Sequence, residues 1–336
     1  MTAYDIHHEA LEASSAVTSR PRSGKVHRRL REQRFWTALP PVNACYPHVA
    51  RVEVAISDPG DRVRTWLADR EAAEKLVRIA PQTTTALHRR HLFTSRVIEH
   101  ALSLGITQFL ELGSGDPHIS AAHATVSRAQ THPAPTIVLV DHDPIVYARA
   151  WADEQERPEQ WRRSTFVEGN VFAIGAMLNS LTAQGLLDPS QRVCVLAVDI
   201  LHFAEPEIDI RTVPRRLARR LAPGSLFAAT HLTAEPLPAP ASTTTRTRLR
   251  TTTTEWCRAH HRCARPYPRP RSHADFTGLF TGLDLLAPGI TTPGHWPAPD
   301  NTHRPRAPYT LAAVGRVRTP LSSQTSPDPR RRAHEG

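Results

Sequence analysis

Lysine is almost missing from this chain, which holds only Lys25 and Lys75. The net charge of +10 is therefore an arginine charge. With abundant Ala, Pro and Thr, it reads as coding bias in a GC-rich genome, and it argues less for nucleic-acid binding than its size suggests. Much of it lies outside the expected core, in Arg20 to Arg34, Arg246 to Arg271 and Arg330 to Arg332. Cysteine is also scarce: the four residues, Cys45, Cys194, Cys257 and Cys263, are scattered and give no disulfide framework. Cys194 sits in an apolar run and reads as a buried thiol, which suits a reducing compartment. No apolar run reaches the roughly 18 to 20 residues of a spanning helix, so no membrane is expected. The opening residues lack the basic and apolar segments of a secretory signal. The expectation is a cytoplasmic protein, and 336 residues suffice for a large core with tails.

A further absence lies in the most informative stretch, Gln108-Phe-Leu-Glu-Leu-Gly-Ser-Gly-Asp116. It reads as a buried strand running into a glycine turn, and the next apolar run, Thr136 to Asp143, ends in acids. This is how a Rossmann-type sheet holds a nucleoside: glycines admit the ligand to the backbone and an acid binds the ribose. A dinucleotide fingerprint needs a third glycine, where this chain has His118, and an earlier acid than Asp141. A ligand without a pyrophosphate fits better, and S-adenosyl-L-methionine meets that description. The competing reading is a strand, turn and helix with no ligand.

Around this motif the chain alternates strands and helices. Expected helices cover Ala68 to Ala80, stopped by Pro81, and Thr83 to Leu104. Strands follow at Gln108–Gly113, Thr136–Asp141, Thr165–Glu168, Val193–Ile200 and Ser225–Thr230. The helices between them are His118–Gln130, Pro144–Glu156, Phe172–Gln184 and Asp209–Leu221. Such apolar runs separated by helices predict a parallel sheet covered on both faces. Two late strands, Leu283–Leu286 and Tyr309–Val314, have no long helix between them and should pair antiparallel at the sheet edge. The predicted fold is α/β, a Rossmann-like, mostly parallel seven-stranded sheet of the class I methyltransferase type. Residues 1–50 read as a basic, mostly disordered arm with a short helix around Val26 to Trp36, residues 51–317 as the domain with helical lid elements from Asp58, and residues 318–336 as a disordered tail.

With these segments in order, the chain resembles the actinobacterial S-adenosyl methyltransferase family, long known as a domain of unknown function. The resemblance covers about Ile56 to Val317. Its carriers include Ala68-Asp-Arg-Glu-Ala-Ala73, Gln108 to Gly115, Val140-Asp-His-Asp-Pro144, Leu201-His-Phe203, Leu221-Ala-Pro-Gly-Ser225, Thr230-His-Leu-Thr233, Pro270 to Phe276 and Gly282 to Gly289. It implies a methyltransferase using S-adenosyl-L-methionine and acting on a small-molecule acceptor. The chain departs from the family in four places, one of them Asp116, which stands where the family commonly has Leu in the turn Gly115-Asp-Pro-His118. A glycine-containing lid segment usual before the Asp-Arg-Glu helix is missing, since Asp61 to Trp66 runs almost directly into Ala68. His142 stands where the family has Asn, and Asn170 where it has an acid. The lid loss makes a catalytically degenerate, accessory S-adenosylmethionine binder the second reading. A basic nucleic-acid-binding protein is the third, although the Thr243–Thr254 run with its three arginines lacks the aromatics of single-strand binders and reads as a solvated helix or linker.

The expected cofactor residues are Glu111, Gly113, Ser114, Gly115, Asp141, His142, Asn170 and Val171. Glu111 orients the glycine loop and the cofactor's amino group, or merely caps the loop. Asp141 accepts from two ribose hydroxyls, while Asp143 is better placed to cap the next helix. Asn170 meets the adenine or caps its own helix. Asp199, His202 and His231, at the ends of the fourth and fifth strands, are the candidate catalytic groups; a histidine there is either a base or a structural hydrogen-bonding residue. The Cys257, His260, His261, Cys263 cluster lacks a second ligand pair, so no metal site is expected.

Overall fold

The computed structural model describes residues 46–236, 242–264, 266–299 and 305–319. The expected short helix at Val26 to Trp36, most of the arm and nearly all of the tail lie outside these residues. Three helices come first: α1 (Val49–Ser57), α2 (Leu67–Ile79) and α3 (Thr83–Ser103). Strand β1 (Gln108–Leu112) opens the alternating part, followed by α4 (Ala121–Arg128), β2 (Thr136–Asp141), α5 (Pro144–Glu156), β3 (Ser164–Glu168) and α6 (Ile174–Ala183). Next come β4 (Val193–Ala197), a 3-10 turn at Leu201–Phe203, α7 (Thr212–Arg220) and β5 (Leu226–Thr233). The chain ends this domain with α8 (Thr243–Cys263), α9 (His273–Gly278), β6 (Leu283–Leu285) and β7 (Tyr309–Val317).

The strands form one seven-stranded sheet in the order β3-β2-β1-β4-β5-β7-β6. β1 to β5 are parallel, and β7 runs antiparallel between β5 and β6. The order reverses between β1 and β4, so their carboxyl ends diverge into a crevice. Both faces of the central strands are buried, which is why their sequences are apolar without alternation. Leu110, Leu112, Val138, Val140, Val193 and Val195 pack with α1, α2, α6 and α7 on one face. Phe109, Ile137, Leu139, Cys194 and Leu196 pack with α3, α4 and α5 on the other. Each large side chain so buried contributes about 1.5–3 kcal/mol.

Several expected boundaries move for identifiable reasons. A helix begins at Val49, within the segment read as arm, while Asp58 to Trp66, read as helical, is a loop. Its turns are held by Asp61 Oδ1, which accepts from the backbone N–H groups of Val63 and Arg64. The helix expected from His118 starts at Ala121, because Ser120 Oγ accepts from His123 N at 3.1 Å and sets the N-cap there. Strand β4 stops at Ala197 rather than Ile200, since Asp199 takes a φ of 50° that no strand tolerates. Strand β5 runs to Thr233, extended by an eight-pair ladder with β7 from Leu226↔Arg316 to Thr233↔Tyr309. The Thr243–Thr254 run is helical, part of the 21-residue α8. Among the described residues, no helix is long and apolar enough to cross a membrane.

Candidate active site

At the carboxyl ends of β1, β2 and β4 lies a cavity of about 700 Å³, counting space open to solvent. Glu111, Gly113, Ser114, Gly115, Asp141, His142 and Asp199 all line it, together with His48 and Glu53 of the N-terminal segment and Arg90 of α3. Gly113 and Gly115 have φ of 71° and 62°, a conformation costly for any residue with a side chain. At Gly113 a Cβ would also stand 2.5 Å from Ile200 Cδ1, so the turn admits no side chain there.

Glu111 is buried and accepts a hydrogen bond from Ser120 Oγ at 3.0 Å. Burial pushes its carboxyl up to about 8, against the opposing pull of the Ser120 hydroxyl and Arg90. Asp141 holds the glycine turn: Oδ2 accepts from Gly115 N at 2.8 Å, and Oδ1 accepts from His142 N at 2.8 Å and Asp143 N at 3.0 Å. His142 is exposed beside it. Asp143 caps α5, accepting from Ile145 N at 2.9 Å. Burial alone would raise the Asp143 carboxyl; His48, whose Nδ1 lies 2.8 Å away, the Ile145 N–H and Arg51 reverse this and hold it at about 2.

Asn170 and Val171 do not line this cavity. Asn170 is exposed, and its Oδ1 accepts from Phe172 N at 2.9 Å in a local turn. Val171 is buried in the core beside α6. A side-chain amide followed by a chain turn favours local bonding, which explains the Asn170 geometry.

Asp199 sits on the far wall, and its N–H donates to Thr230 Oγ1 at 2.7 Å while the Thr230 hydroxyl donates back to Oδ1. A non-glycine residue at positive φ carries backbone strain, and such strain gathers at working sites. Arg90 forms a two-pronged pair with Glu53, at 2.7 and 2.8 Å, and its Nη1 lies 3.4 Å from Asp199 Oδ2. Burial would lower the Arg90 guanidinium, but the two carboxylates raise it, and it stays charged.

Behind this trio a second cavity of about 570 Å³ opens between α1, α2, α3, α8 and the ends of β5 and β7. Its walls include Val49, Glu53, Arg90, Asp199 and Phe203, all shared with the first cavity, and His202. His202 is buried, and burial first, with His260 and Arg90 adding to it, lowers its imidazole to about 3. His231 lines neither cavity. Its Nδ1 is 2.8 Å from the Leu232 carbonyl, its ring centroid is 5.6 Å from that of His202, and burial lowers it to about 3 as well. Two imidazoles neutral at physiological pH are weak bases. Of the cysteine–histidine cluster, His260 is buried against Trp256 while His261 is exposed beside Tyr267, so the two rings diverge. Among the described residues no group of three or more His, Cys, Asp or Glu side chains converges to hold a metal.

Sequence reasoning missed His48, Glu53 and Arg90. Only the amphipathic pattern of Val49–Ser57, with its charged residue between valines, hinted that Glu53 belongs to a packed helix.

A family model described as S-adenosyl methyltransferase matches residues 40–318. The chain belongs to that family. Its cofactor is S-adenosylmethionine, and its fold is the Rossmann-like class I methyltransferase fold. A crystal structure of a DUF574 family protein from Streptomyces avermitilis is 26% identical, with a TM-score of 0.64, over 81% of this chain and 97% of that one. A putative methyltransferase from Thermobifida fusca is 22% identical, with a TM-score of 0.65, over 84% of this chain and 100% of that one. No curated protein matches the chain significantly. The first cavity suits the family's cofactor: Glu111, a buried carboxyl hydrogen-bonded to Ser120, stands beside a glycine turn in which Gly113 leaves no room for a side chain.

Proposed function

We propose that the chain is an active methyltransferase that methylates a small-molecule acceptor. The observation that carries this reading is that Glu111, Gly113, Gly115 and Asp141 line one cavity with Asp199, and that this cavity shares a wall with a second, more apolar one. When bound, S-adenosylmethionine supplies a methyl carbon on a cationic sulfur, which leaves as a neutral thioether once an acceptor lone pair takes the methyl.

The residues divide the work. Glu111, ionised by pairing, receives the cofactor's ammonium, and Asp141, which already accepts three backbone N–H groups, keeps a lone pair on Oδ2 for a ribose hydroxyl. The acceptor sits against the Glu53–Arg90–Asp199 wall, oriented so that its nucleophile meets the methyl in line. Asp199, the carboxylate on the wall that both cavities share, takes the acceptor's proton, and the buried imidazoles, lowered to about 3, are weak bases. The trio carries one cation and two carboxylates, and its surplus negative charge would favour a cationic sulfur held beside it. A largely apolar cavity behind this wall favours a small acceptor over nucleic acid, for which a basic groove would be needed.

Calorimetric titration of S-adenosylmethionine and S-adenosylhomocysteine tests the reading, with Asp141→Ala as control. Micromolar binding that the control abolishes is expected. Absence of binding to the intact protein refutes it.

A further inference from the structure

The second cavity has a chemistry of its own, and the reasoning here rests on the methyltransferase reading above. Aliphatic and aromatic side chains make most of its wall: Ile56, Leu76, Leu87, Leu232 and Trp256 come from α1, α2, α3, β5 and α8. Among the described residues that line it, none is a free cation. Arg90 is bound to Glu53 and Asp199, and burial lowers His202 to about 3 and His260 to about 4, so both rings are neutral. The net charge of these described wall residues is the negative surplus of the trio.

His202 and His260 are 5% and 2% exposed, and Nδ1 of each is sealed without a hydrogen-bond partner. Both rings line the chamber, and a neutral imidazole carries one donor and one acceptor nitrogen. Two such rings in an apolar chamber suit a hydroxyl or carbonyl oxygen. The negative wall repels a carboxylate or phosphate.

We propose that this chamber is the acceptor pocket and that it takes an uncharged, largely apolar ring compound whose hydroxyl or carbonyl oxygen is held by His202 and His260. The nucleophilic atom reaches back to the Asp199 partition that the two cavities share. The same wall disfavours a phosphorylated metabolite and a polynucleotide.

The test uses the full-length protein saturated with S-adenosylhomocysteine. Calorimetry compares 2-naphthol with a charged probe of the same ring, 2-naphthoate. The neutral probe should bind about tenfold or more tightly than the carboxylate. Ala86 lines only the second cavity. Ala86→Trp should weaken 2-naphthol about tenfold or more while S-adenosylhomocysteine binding is unchanged. His260→Phe should weaken 2-naphthol about tenfold and leave 2-methylnaphthalene unaffected, which separates the hydrogen bond from packing. Equal or tighter binding of a charged probe, no binding of 2-naphthol, or naphthol binding indifferent to both substitutions overturns the proposal. Loss of S-adenosylhomocysteine binding by the intact protein is a different failure, because it removes the methyltransferase reading itself.

Discussion

Replacing Glu111 by Gln tests the electrostatics of the cofactor site directly. The wild-type carboxyl titrates at an ordinary value of 4.5 in the unfolded chain and at about 8 in the folded one, because the folded chain buries it. Between these values the unfolded chain has released a proton that the folded chain retains. Wild-type stability therefore falls as pH rises from 4.5 to about 8 and is level above that. The full gap sets a ceiling of about 5 kcal/mol. Gln keeps an oxygen for the Ser120 hydroxyl and has no proton to lose, so its stability lacks this slope. The melting temperature of Glu111→Gln should rise relative to wild type between pH 5 and pH 9. At about 2–4 °C per kcal/mol, the change amounts to several degrees. Saturating S-adenosylmethionine should reverse the order, since its ammonium pairs only with the carboxylate, and binding to wild type at pH 7 should release a proton. Thermal melts across pH, with and without ligand, measure all of this. A melting difference that does not vary with pH, or equal cofactor affinity in the two proteins, refutes the reasoning.

Three further predictions concern the surroundings. Gly113→Ala should weaken S-adenosylhomocysteine binding and cost about 1–3 kcal/mol by denaturant titration, and adding Ile200→Ala should recover only the steric part, because the φ of 71° remains unfavourable. Arg51→Ala strands Asp69, which is 0% exposed and 3.1 Å from the guanidinium, so it should cost about 3–5 kcal/mol, and a double-mutant cycle with Asp69→Asn should show strong coupling. Asp143, held at about 2 against an ordinary 3.8, contributes stability that is present above 3.8 and lost as pH falls through about 2. Acid denaturation of Asp143→Asn should lack that loss of about 2 kcal/mol.

What the sequence disclosed and what it hid follow from the range of the interactions. Strands β1, β2 and β4 were legible because burial on both faces leaves continuous apolar runs, and Gly113 and Gly115 because only glycine meets their φ. The edge pairing of β6 and β7 followed from the lack of a helix between them. α1 was hidden because it buries an arginine, Arg51, whose partner Asp69 lies eighteen residues away. Glu53 meets Arg90 across thirty-seven residues, and Arg90 meets Asp199 across more than a hundred, separations at which one sequence carries no periodic signal. Asn170 showed the converse limit: a residue whose type suits a ligand is satisfied by the backbone two positions on.

The place of β7 bears on how the domain is made. It is synthesised after β5 and β6 yet lies between them. Until residues 309–317 leave the ribosome, β5 has a bare edge along eight residues and β6 has no strand to join. The helices and the cofactor crevice of β1, β2 and β4 can assemble during translation, but the sheet closes only at the last step. A nascent chain stalled before Tyr309 thus carries a formed crevice and an open, apolar sheet edge, the state in which this protein is most exposed to aggregation and most in need of a chaperone.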